Sequence, residues 1–305
     1  MNATIVTVGE ALTDIVIRLG SDPVEYPGGS PMNVAVALGR LGYESHLLTD
    51  IGDDDRGVRI REHIEHSRVQ LTQRSVKAGA RTSTAEATIG ADGAASYEFA
   101  IAWDPDSSDL PHGVQFVHSS SIAATLEPGA ETVRDVVSNL RESALISYDP
   151  NARPSLMGDP DLTRPIVEQN IALADVVKAS DEDLEWLYPG RPIEDVARSF
   201  LDSGVALAVI TRGGDGATAF SASGQVDVPG VSVDIADTVG AGDTFSAGLI
   251  DALVRRGFVG AQQRDELQTL SAPTITEILN HAAKLAAVTV SRAGANPPWD
   301  HEINA

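Results

Sequence analysis

The sequence predicts an α/β fold in which helices cover both faces of a mostly parallel sheet, with a small β-sheet beside it. From residue 115 onwards, strand-forming and helix-forming runs alternate with short connections, the pattern of a parallel sheet between helices. A β-prone hairpin at residues 82–99 interrupts that pattern and predicts the small sheet. A chain of 305 residues is long enough to bury the core of one large domain with such an appendage.

The individual elements follow from hydrophobic periodicity, since apolar residues alternate in strands and recur once per turn in helices. Strands are predicted at residues 5–10, 11–19, 45–49, 82–89, 95–99, 115–118, 145–148, 176–178, 206–211, 217–221, 225–228 and 231–235. Helices are predicted at residues 32–41, 55–66, 129–142, 163–174, 181–187, 193–203, 246–254 and 273–290. Residues 11–19 and the hairpin, closed by a turn at residues 90–93, would form the small sheet.

The composition narrows the class of protein. A net charge of −22 argues against non-specific nucleic-acid binding, which needs a basic surface, and slightly disfavours an anionic substrate. The chain has no cysteine, which excludes disulfides and thiolate metal sites. The N-terminus has the pattern of a strand and not of a signal peptide, and no apolar run is long enough to span a bilayer. We therefore expect a cytoplasmic protein that binds neither nucleic acid nor membrane.

The most informative stretch is D-T-V-G-A-G-D-T-F at residues 237–245. It follows a predicted strand and opens a predicted helix, so Gly240 and Gly242 lie at a turn whose first amides have no helical partner and suit an anion such as phosphate. A carboxylate there would repel phosphate, but Asp243 fits the role of a general base for a hydroxyl that attacks phosphorus. The alternative is that Asp243 only caps the helix.

Further polar residues follow predicted strands, at the edge where parallel sheets bind ligands. Arg153 could balance phosphate charge or form a structural salt bridge, and Asn33, in the first turn of a helix, could face a pocket or cap that helix. The chain lacks the P-loop motif and the G-x-G-x-x-G fingerprint, which excludes a P-loop kinase and disfavours a dehydrogenase. The other residues of this group are Asp149, Asn151, Ser180, Asp183, Arg212, Gly213 and Gly214.

Two motifs together resemble the signatures of the ribokinase-like (PfkB) carbohydrate kinases. They are G-G-S-P-M-N-V-A at residues 28–35, which opens a helix, and the 237–245 stretch, some two hundred residues later. The resemblance covers essentially the whole chain, residues 1–305. It implies a three-layer α/β/α domain, a β-sheet lid formed from about residues 11–27 and 82–104, MgATP as phosphoryl donor and a sugar hydroxyl as acceptor.

The resemblance also implies roles for single residues. Asp243 matches the catalytic base, and the anion hole matches Gly240, Ala241 and Gly242. The positions expected to bind sugar or lie near it are Asp14, Gly28, Gly29, Asn33, Asn151 and Arg153. The ATP-binding positions are Lys178, Ser180, Thr211, Gly213 and Gly216. A monovalent-cation site, often for potassium, is expected at Asp237, Val239, Ser291 and Gly294, with the requirement for the ion left open. Ser180 and Asp183 replace the asparagine and glutamate that the family often has near magnesium.

Fructokinases are the members that the chain resembles most, over residues 11–15, 83–99, 126–130, 149–154 and 291–298. D-fructose is the expected acceptor. Ribose, 2-keto-3-deoxygluconate or a nucleoside are alternatives, as is a non-catalytic sugar-binding homologue. Phe99 and Trp103 could pack on the sugar or belong to the core. Exposed strand edges in the small sheet favour a homodimer formed through it.

Overall fold

The computed structural model describes residues 3–18, 20–90 and 95–303. The strands are β1 (Thr4–Val8), β2 (Leu12–Arg18), β3 (Val24–Gly28), β4 (Glu44–Leu48), β5 (Ile51–Gly52), β6 (Val69–Leu71), β7 (Val76–Lys77), β8 (Thr84–Ile89), β9 (Ala95–Ala100), β10 (Phe116–Ser120), β11 (Leu145–Asp149), β12 (Val176–Ser180), β13 (Leu207–Thr211), β14 (Ala217–Ser221) and β15 (Gly224–Val228). The helices are α1 (Ser30–Arg40), α2 (Asp55–His66), α3 (Gly129–Leu140), α4 (Pro154–Met157), α5 (Pro160–Leu173), α6 (Asp181–Leu187), α7 (Ile193–Asp202), α8 (Ala241–Arg255), α9 (Arg264–Leu267), α10 (Ala272–Val290) and α11 (Asp300–Ile303).

A large sheet forms the centre of the fold, with the strand order β15-β14-β13-β12-β11-β10-β1-β4-β6. All pairs from β6 to β13 are parallel, and β14 and β15 extend the sheet as an antiparallel hairpin. Successive residues of the central strands face opposite layers. Ile5 packs with α1, α8 and α10 in one hydrophobic cluster, whereas Val6 packs with α3, α5, α6 and α7 in another. This confirms the predicted three-layer α/β/α fold with a mostly parallel sheet.

A second sheet, with the order β3-β2-β8-β9, confirms the predicted small sheet. Strand β2 pairs in parallel with β8, and the two outer pairs are antiparallel. Strand β3 was not predicted, because residues 27–31 have the composition of a loop. Pro27 is tolerated there because β3 is an edge strand. Residue 19, at the end of the second predicted strand, and most of the predicted turn at residues 90–93 lie outside the described residues.

The predicted strand at residues 231–235 is wrong. The segment has no strand pairing, and Val231 and Ile235 are 47% and 68% exposed. The following amides of Ala236 and Asp237 donate to the carbonyl of Val290 at the end of α10 instead. A β-branched run indicates extended backbone, but a strand also needs a partner, and this run is not paired with the free edge of β15.

The remaining differences concern short elements and helix ends. Strands β5, β6 and β7 and helices α4, α9 and α11 were not predicted, because each is too short to show a period. Helix α8 begins at Ala241, inside the glycine turn, and not at residue 246. Over the described ranges, every helix is too short or too polar to cross a membrane.

Candidate active site

A cleft of about 370 Å³ lies at the carboxyl edge of the large sheet, where the small sheet faces it. Ligands bind at this edge in parallel sheets. The cleft brings together half of the twenty site residues that the sequence predicted, from four separate parts of the chain. The lining residues are Glu10, Leu12, Asp14, Gly29, Ser30, Asn33, Ala85, Phe99, Ser121, Ile122, Asn151, Arg153, Leu156 and residues 238–243.

Asp243 is the third residue of α8, and only 8% of it is exposed. Ser30 Oγ donates to its Oδ1 at 2.7 Å, and Asn33 Nδ2 donates to its Oδ2 at 2.8 Å. Both donors lie in the first turn of α1, and Ser30 Oγ also lies 3.1 Å from Ser120 Oγ. Asp243 is therefore fixed by another helix and does not cap its own, and Asn33 faces the cleft.

The turn before α8 needs small residues for two separate reasons. Gly240 has a φ of 75°, in the left-handed region that glycine favours, and a Cβ there would lie 2.7 Å from that of Ala295. A Cβ on Gly242 would lie 3.0 Å from Lys178 Nζ. The backbone can therefore come close to a ligand where the start of α8 lines the cleft. The Ala241 amide donates to the carbonyl of Thr238 at 3.3 Å, whereas the next amides of a helix's first turn have no acceptor within the helix and suit an anion.

The glycine pair at the end of β3 shapes the opposite wall. The carboxylate of Asp14 occupies the place where a side chain on Gly28 would stand. Gly29 has a φ of 116° and lies against the carbonyl of Glu10. The structure thus places Asp14, Gly29 and Asn33 on the cleft surface, with Gly28 behind Asp14.

The loop after β11 brings a positive charge to the cleft. Asn151 has a φ of 35°, and its amide donates to Asp149 Oδ1 at 3.1 Å. Arg153 is exposed, and its Nη1 donates to Asn151 Oδ1 at 2.8 Å and to the carbonyl of Ala152 at 2.9 Å. Among the described residues Arg153 forms no salt bridge, so the structural alternative for this side chain is not observed.

A buried ion pair lies beneath the glycine turn. Lys178 Nζ is 3.0 Å from Asp149 Oδ2, which also accepts from Ser246 Oγ at 3.2 Å. Burial raises the pKa of Asp149 to about 6, against the lowering effect of Lys178. Burial by itself would lower the pKa of Lys178, but the carboxylates of Asp149, Asp183 and Asp243 raise it overall, so this lysine stays charged.

Ser180 and Asp183 form a capping box at the start of α6. Asp183 Oδ2 accepts from the Ser180 amide at 2.8 Å, and its Oδ1 accepts from the Ala152 amide at 2.7 Å. Asp183 therefore ties the loop after β11 to the end of β12. Each of its oxygens keeps a further lone pair, which suits contact with a metal ion through water better than direct ligation.

The other positions expected to bind ATP lie at the same edge but outside the lining of the cleft. Thr211 pairs with Ser180 where β13 and β12 end. Gly213 and Gly216 have φ values of 50° and 98° and flank the short turn that leads into β14. A side chain on Gly216 would meet the carbonyl of Val228.

The expected monovalent-cation site combines two loops. Asp237 Oδ1 accepts from the Val239 amide at 3.0 Å, and Oδ2 accepts from the Gly294 amide at 2.9 Å. These two backbone hydrogen bonds lower the pKa of Asp237. Ser291 ends α10, and its hydroxyl donates to the carbonyl of Val288 at 2.7 Å.

The two aromatic residues that could pack on the sugar lie in different surroundings. Phe99 lines the cleft and stacks on Tyr97, with ring centroids 6.2 Å apart. Trp103 is 6% exposed, packs against Gly129 and donates to the Ala123 carbonyl at 2.9 Å, so it belongs to the core.

Glu10 is a cleft residue that the sequence analysis did not single out. It is 5% exposed, and its Oε2 accepts from the Ala123 amide at 3.2 Å. Burial raises its pKa to about 7. A signal was present in the sequence, because Glu10 lies two residues after the end of the buried strand β1, and Asp149 likewise lies at the end of a buried strand.

The chain matches the model of the pfkB family carbohydrate kinases over residues 2–302, and it belongs to this family. A fructokinase of Rhizobium leguminosarum bv. trifolii is 34% identical over 260 residues, 82% of this chain and 79% of that protein. An aminoimidazole riboside kinase of Salmonella typhimurium is 30% identical over 255 residues, 81% of this chain and 80% of that protein.

Solved structures agree with this assignment. The fructokinase of Vibrio cholerae O395, in a fructose-, ADP- and calcium-bound form, is 28% identical to this chain. It superposes with a TM-score of 0.79 over 96% of this chain and 94% of that one. A double mutant of the same enzyme, in a fructose-, ADP- and potassium-bound form, has a TM-score of 0.78 at 27% identity.

The buried carboxyl of Glu10 predicts a pH-dependent stability. Its pKa rises from 4.5 in the unfolded chain to about 7 in the fold, so only the folded state keeps this proton between those values. The free energy of unfolding of the wild type therefore falls as the pH rises through that range, because the buried carboxyl must ionise in the folded state. Each pKa unit is worth about 1.4 kcal/mol, so Glu10→Gln should gain roughly 3 kcal/mol in free energy of unfolding over wild type between about pH 4.5 and 8.

Urea unfolding across this pH range would measure that gain. The exposed carboxyl of Glu62, on α2, provides the matched control, and Glu62→Gln should follow the wild type at every pH. A constant difference between Glu10→Gln and wild type would contradict the assignment.

Proposed function

We propose that this pfkB-family kinase transfers the γ-phosphoryl group of ATP to a primary hydroxyl of D-fructose, with Asp243 as general base. The observation that carries the proposal is the position of Asp243, which lies in the cleft at the start of α8, together with Asp14 and Asn33. The relatives named fructokinase, and the one solved with fructose and ADP, support this choice of substrate.

The chemistry follows from the contacts of Asp243. Ser30 and Asn33 each donate to one of its oxygens, which leaves lone pairs for the hydroxyl of the sugar. The sugar oxygen forms the new bond to phosphorus while its proton passes to Asp243 and the bond to the ADP oxygen breaks. The first amides of α8 and the helix dipole stabilise the charge on the transferring group.

Magnesium fits this site through Asp183, whose free lone pairs suit a water-mediated contact. When bound, the ion neutralises phosphate charge. The joined loops at Asp237 and Gly294 support a monovalent cation, and potassium is present in the structure of the Vibrio cholerae double mutant.

A neutral sugar suits the charges of the cleft better than a sugar acid. Among the residues that line it, Arg153 is the one cation beside Glu10, Asp14 and Asp243. Burial raises the pKa of Asp14 to about 6, although Arg153 lowers it, so Asp14 is ionised at neutral pH and accepts hydrogen bonds from sugar hydroxyls. This favours fructose over 2-keto-3-deoxygluconate.

The substrate proposal predicts which acceptor the enzyme prefers. ADP release with MgATP should show a kcat/KM for D-fructose at least about tenfold above D-ribose, 2-keto-3-deoxygluconate, aminoimidazole riboside and D-glucose, because a site built to hydrogen-bond the hydroxyls of one sugar leaves polar groups unpaired when another binds. Potassium should raise the rate. A dominant signal from the riboside would keep the mechanism and replace the substrate.

The proposed role of Asp243 as general base predicts the effect of one substitution. Asp243→Asn keeps the shape of the side chain but cannot accept the proton, so kcat should fall by about 10²–10⁴ while ADP binding by calorimetry is retained. Asp202→Asn, at the exposed end of α7, should leave kcat unchanged. A near-normal kcat for Asp243→Asn would show that another group takes the proton.

We also propose that a second copy of this chain covers the part of the small sheet that extends beyond the cleft, on the same face that lines the cleft. The side chains of Val16, Val24, Tyr26 and Tyr97 share one face of this sheet by register. Val24, Tyr26 and Tyr97 are 41%, 53% and 60% exposed. The other face packs on α2 through Ile15, and there Glu25 pairs with Arg56. An apolar face that continues from the cleft suits a self-complementary, two-fold contact.

Light scattering at micromolar concentrations should then show a dimer. Tyr97→Asp should convert it to a monomer, since a charge would be buried in the contact. Glu98→Gln, on the opposite face of the same strand, should remain dimeric. A monomeric wild type would refute this proposal.

A further inference from the structure

The lysine that is buried beneath the glycine turn carries a charge, which a residue with a packing role alone would not need. Only three of the 22 basic residues of the chain are lysines, and one of them, Lys178, is 4% exposed in the third position of β12. Burying a cation costs free energy unless an opposite charge and hydrogen bonds offset the lost hydration. Arginine serves nearly every other cationic position, which indicates that this one needs the compact charge of an ammonium group.

The glycine at position 242 opens the way from this charge to the cleft. A Cβ on Gly242 would stand 3.0 Å from Lys178 Nζ, so no side chain separates the ammonium group from the start of α8. Gly242 itself lines the cleft. An anion bound at the first amides of α8 would therefore meet Lys178 at its side.

Asp149 fixes the direction of the lysine. Its Oδ2 accepts from Lys178 Nζ at 3.0 Å and from Ser246 Oγ, on α8, at 3.2 Å. Its Oδ1 accepts from the Asn151 amide at 3.1 Å. One carboxylate thus ties β11, β12 and α8 together at the site, and one N–H of the ammonium group is used, which leaves two donors.

We propose that Lys178 is a further catalytic residue, whose ammonium group binds the transferring phosphoryl group beside Gly242 and stabilises the charge that develops on it. The inference rests on the proposed kinase function and adds a side-chain donor to the backbone amides of the anion hole. A preorganised donor of this kind acts in a site from which water is excluded, where its effect on the transition state is large. Asp149 is the positioning residue that holds it.

The competing explanation is that Lys178 only neutralises Asp149. A pair of variants separates the two. Lys178→Met leaves Asp149 buried without its partner, and should lower both the melting temperature and kcat. The double variant Lys178→Met/Asp149→Asn removes both charges, and so should regain most of the melting temperature.

The two explanations differ in what the double variant does to catalysis. If Lys178 contacts the phosphoryl group, kcat and kcat/KM for the sugar stay about 10²–10³-fold below wild type in both variants, while ADP binding by calorimetry changes far less. If the pair is structural, the double variant regains wild-type kcat, and this result would overturn the proposal. A wild-type kcat in Lys178→Met would do the same.

A matched control lies at the other end of the same two strands. Arg264 pairs with the buried Asp175, directly before β12, and donates to the carbonyl of Ala144, directly before β11. Arg264→Met should lower the melting temperature and leave kcat unchanged. The activity of the wild type on the sugar panel tests the kinase proposal separately, so failure of either one can be told from failure of the other.

Discussion

The site depends on one set of hydrogen bonds, which joins the starts of two helices at a single carboxylate. Ser30 and Asn33, in the first turn of α1, donate to Asp243, in the first turn of α8. The partners are 213 and 210 residues apart in the chain. Both helices pack in the same hydrophobic cluster, against the same face of the large sheet. A close-packed core resists small shifts, so the packing of α1 against α8 sets the position of the Asp243 carboxylate.

The glycines around this carboxylate serve different neighbours. Gly28 leaves room for the carboxylate of Asp14, and Gly242 leaves room for the ammonium group of Lys178. Gly29 and Gly240 instead adopt positive φ values and lie against Glu10 and Ala295. The two motifs are therefore rich in glycine for the same purpose at both walls, since each missing side chain lets a charged group or a backbone amide reach the ligand.

Much of this was predictable, because the main helices and buried strands carry clear periods and the two glycine motifs begin helices. The predictions that were wrong or missing concern segments whose structure depends on their surroundings in the fold. Residues 231–235 have the composition of a strand but pair with no strand, and β3 forms across a proline that local rules place in a loop. The depth of Lys178 and of Glu10 could not be derived either. Burial is set by strands that are distant in sequence. The resemblance therefore indicated an ATP-binding position at Lys178 but not its buried ion pair with Asp149, and it did not indicate Glu10.

The net charge of −22 suggested that an anionic substrate is disfavoured, and the structure shows why that argument does not apply at the site. In water at physiological ionic strength, charges more than about 8 Å apart are largely screened from one another. A phosphate in the cleft therefore responds mainly to its immediate neighbours. The neighbours that line the cleft are the start of α8, the guanidinium of Arg153 and the carboxylates of Glu10, Asp14 and Asp243. The ammonium group of Lys178 lies beneath Gly242, paired with Asp149, and its buried charge is screened less than a charge in solvent. These nearby charges, more than the net charge of the chain, decide whether a phosphate can bind at the start of α8.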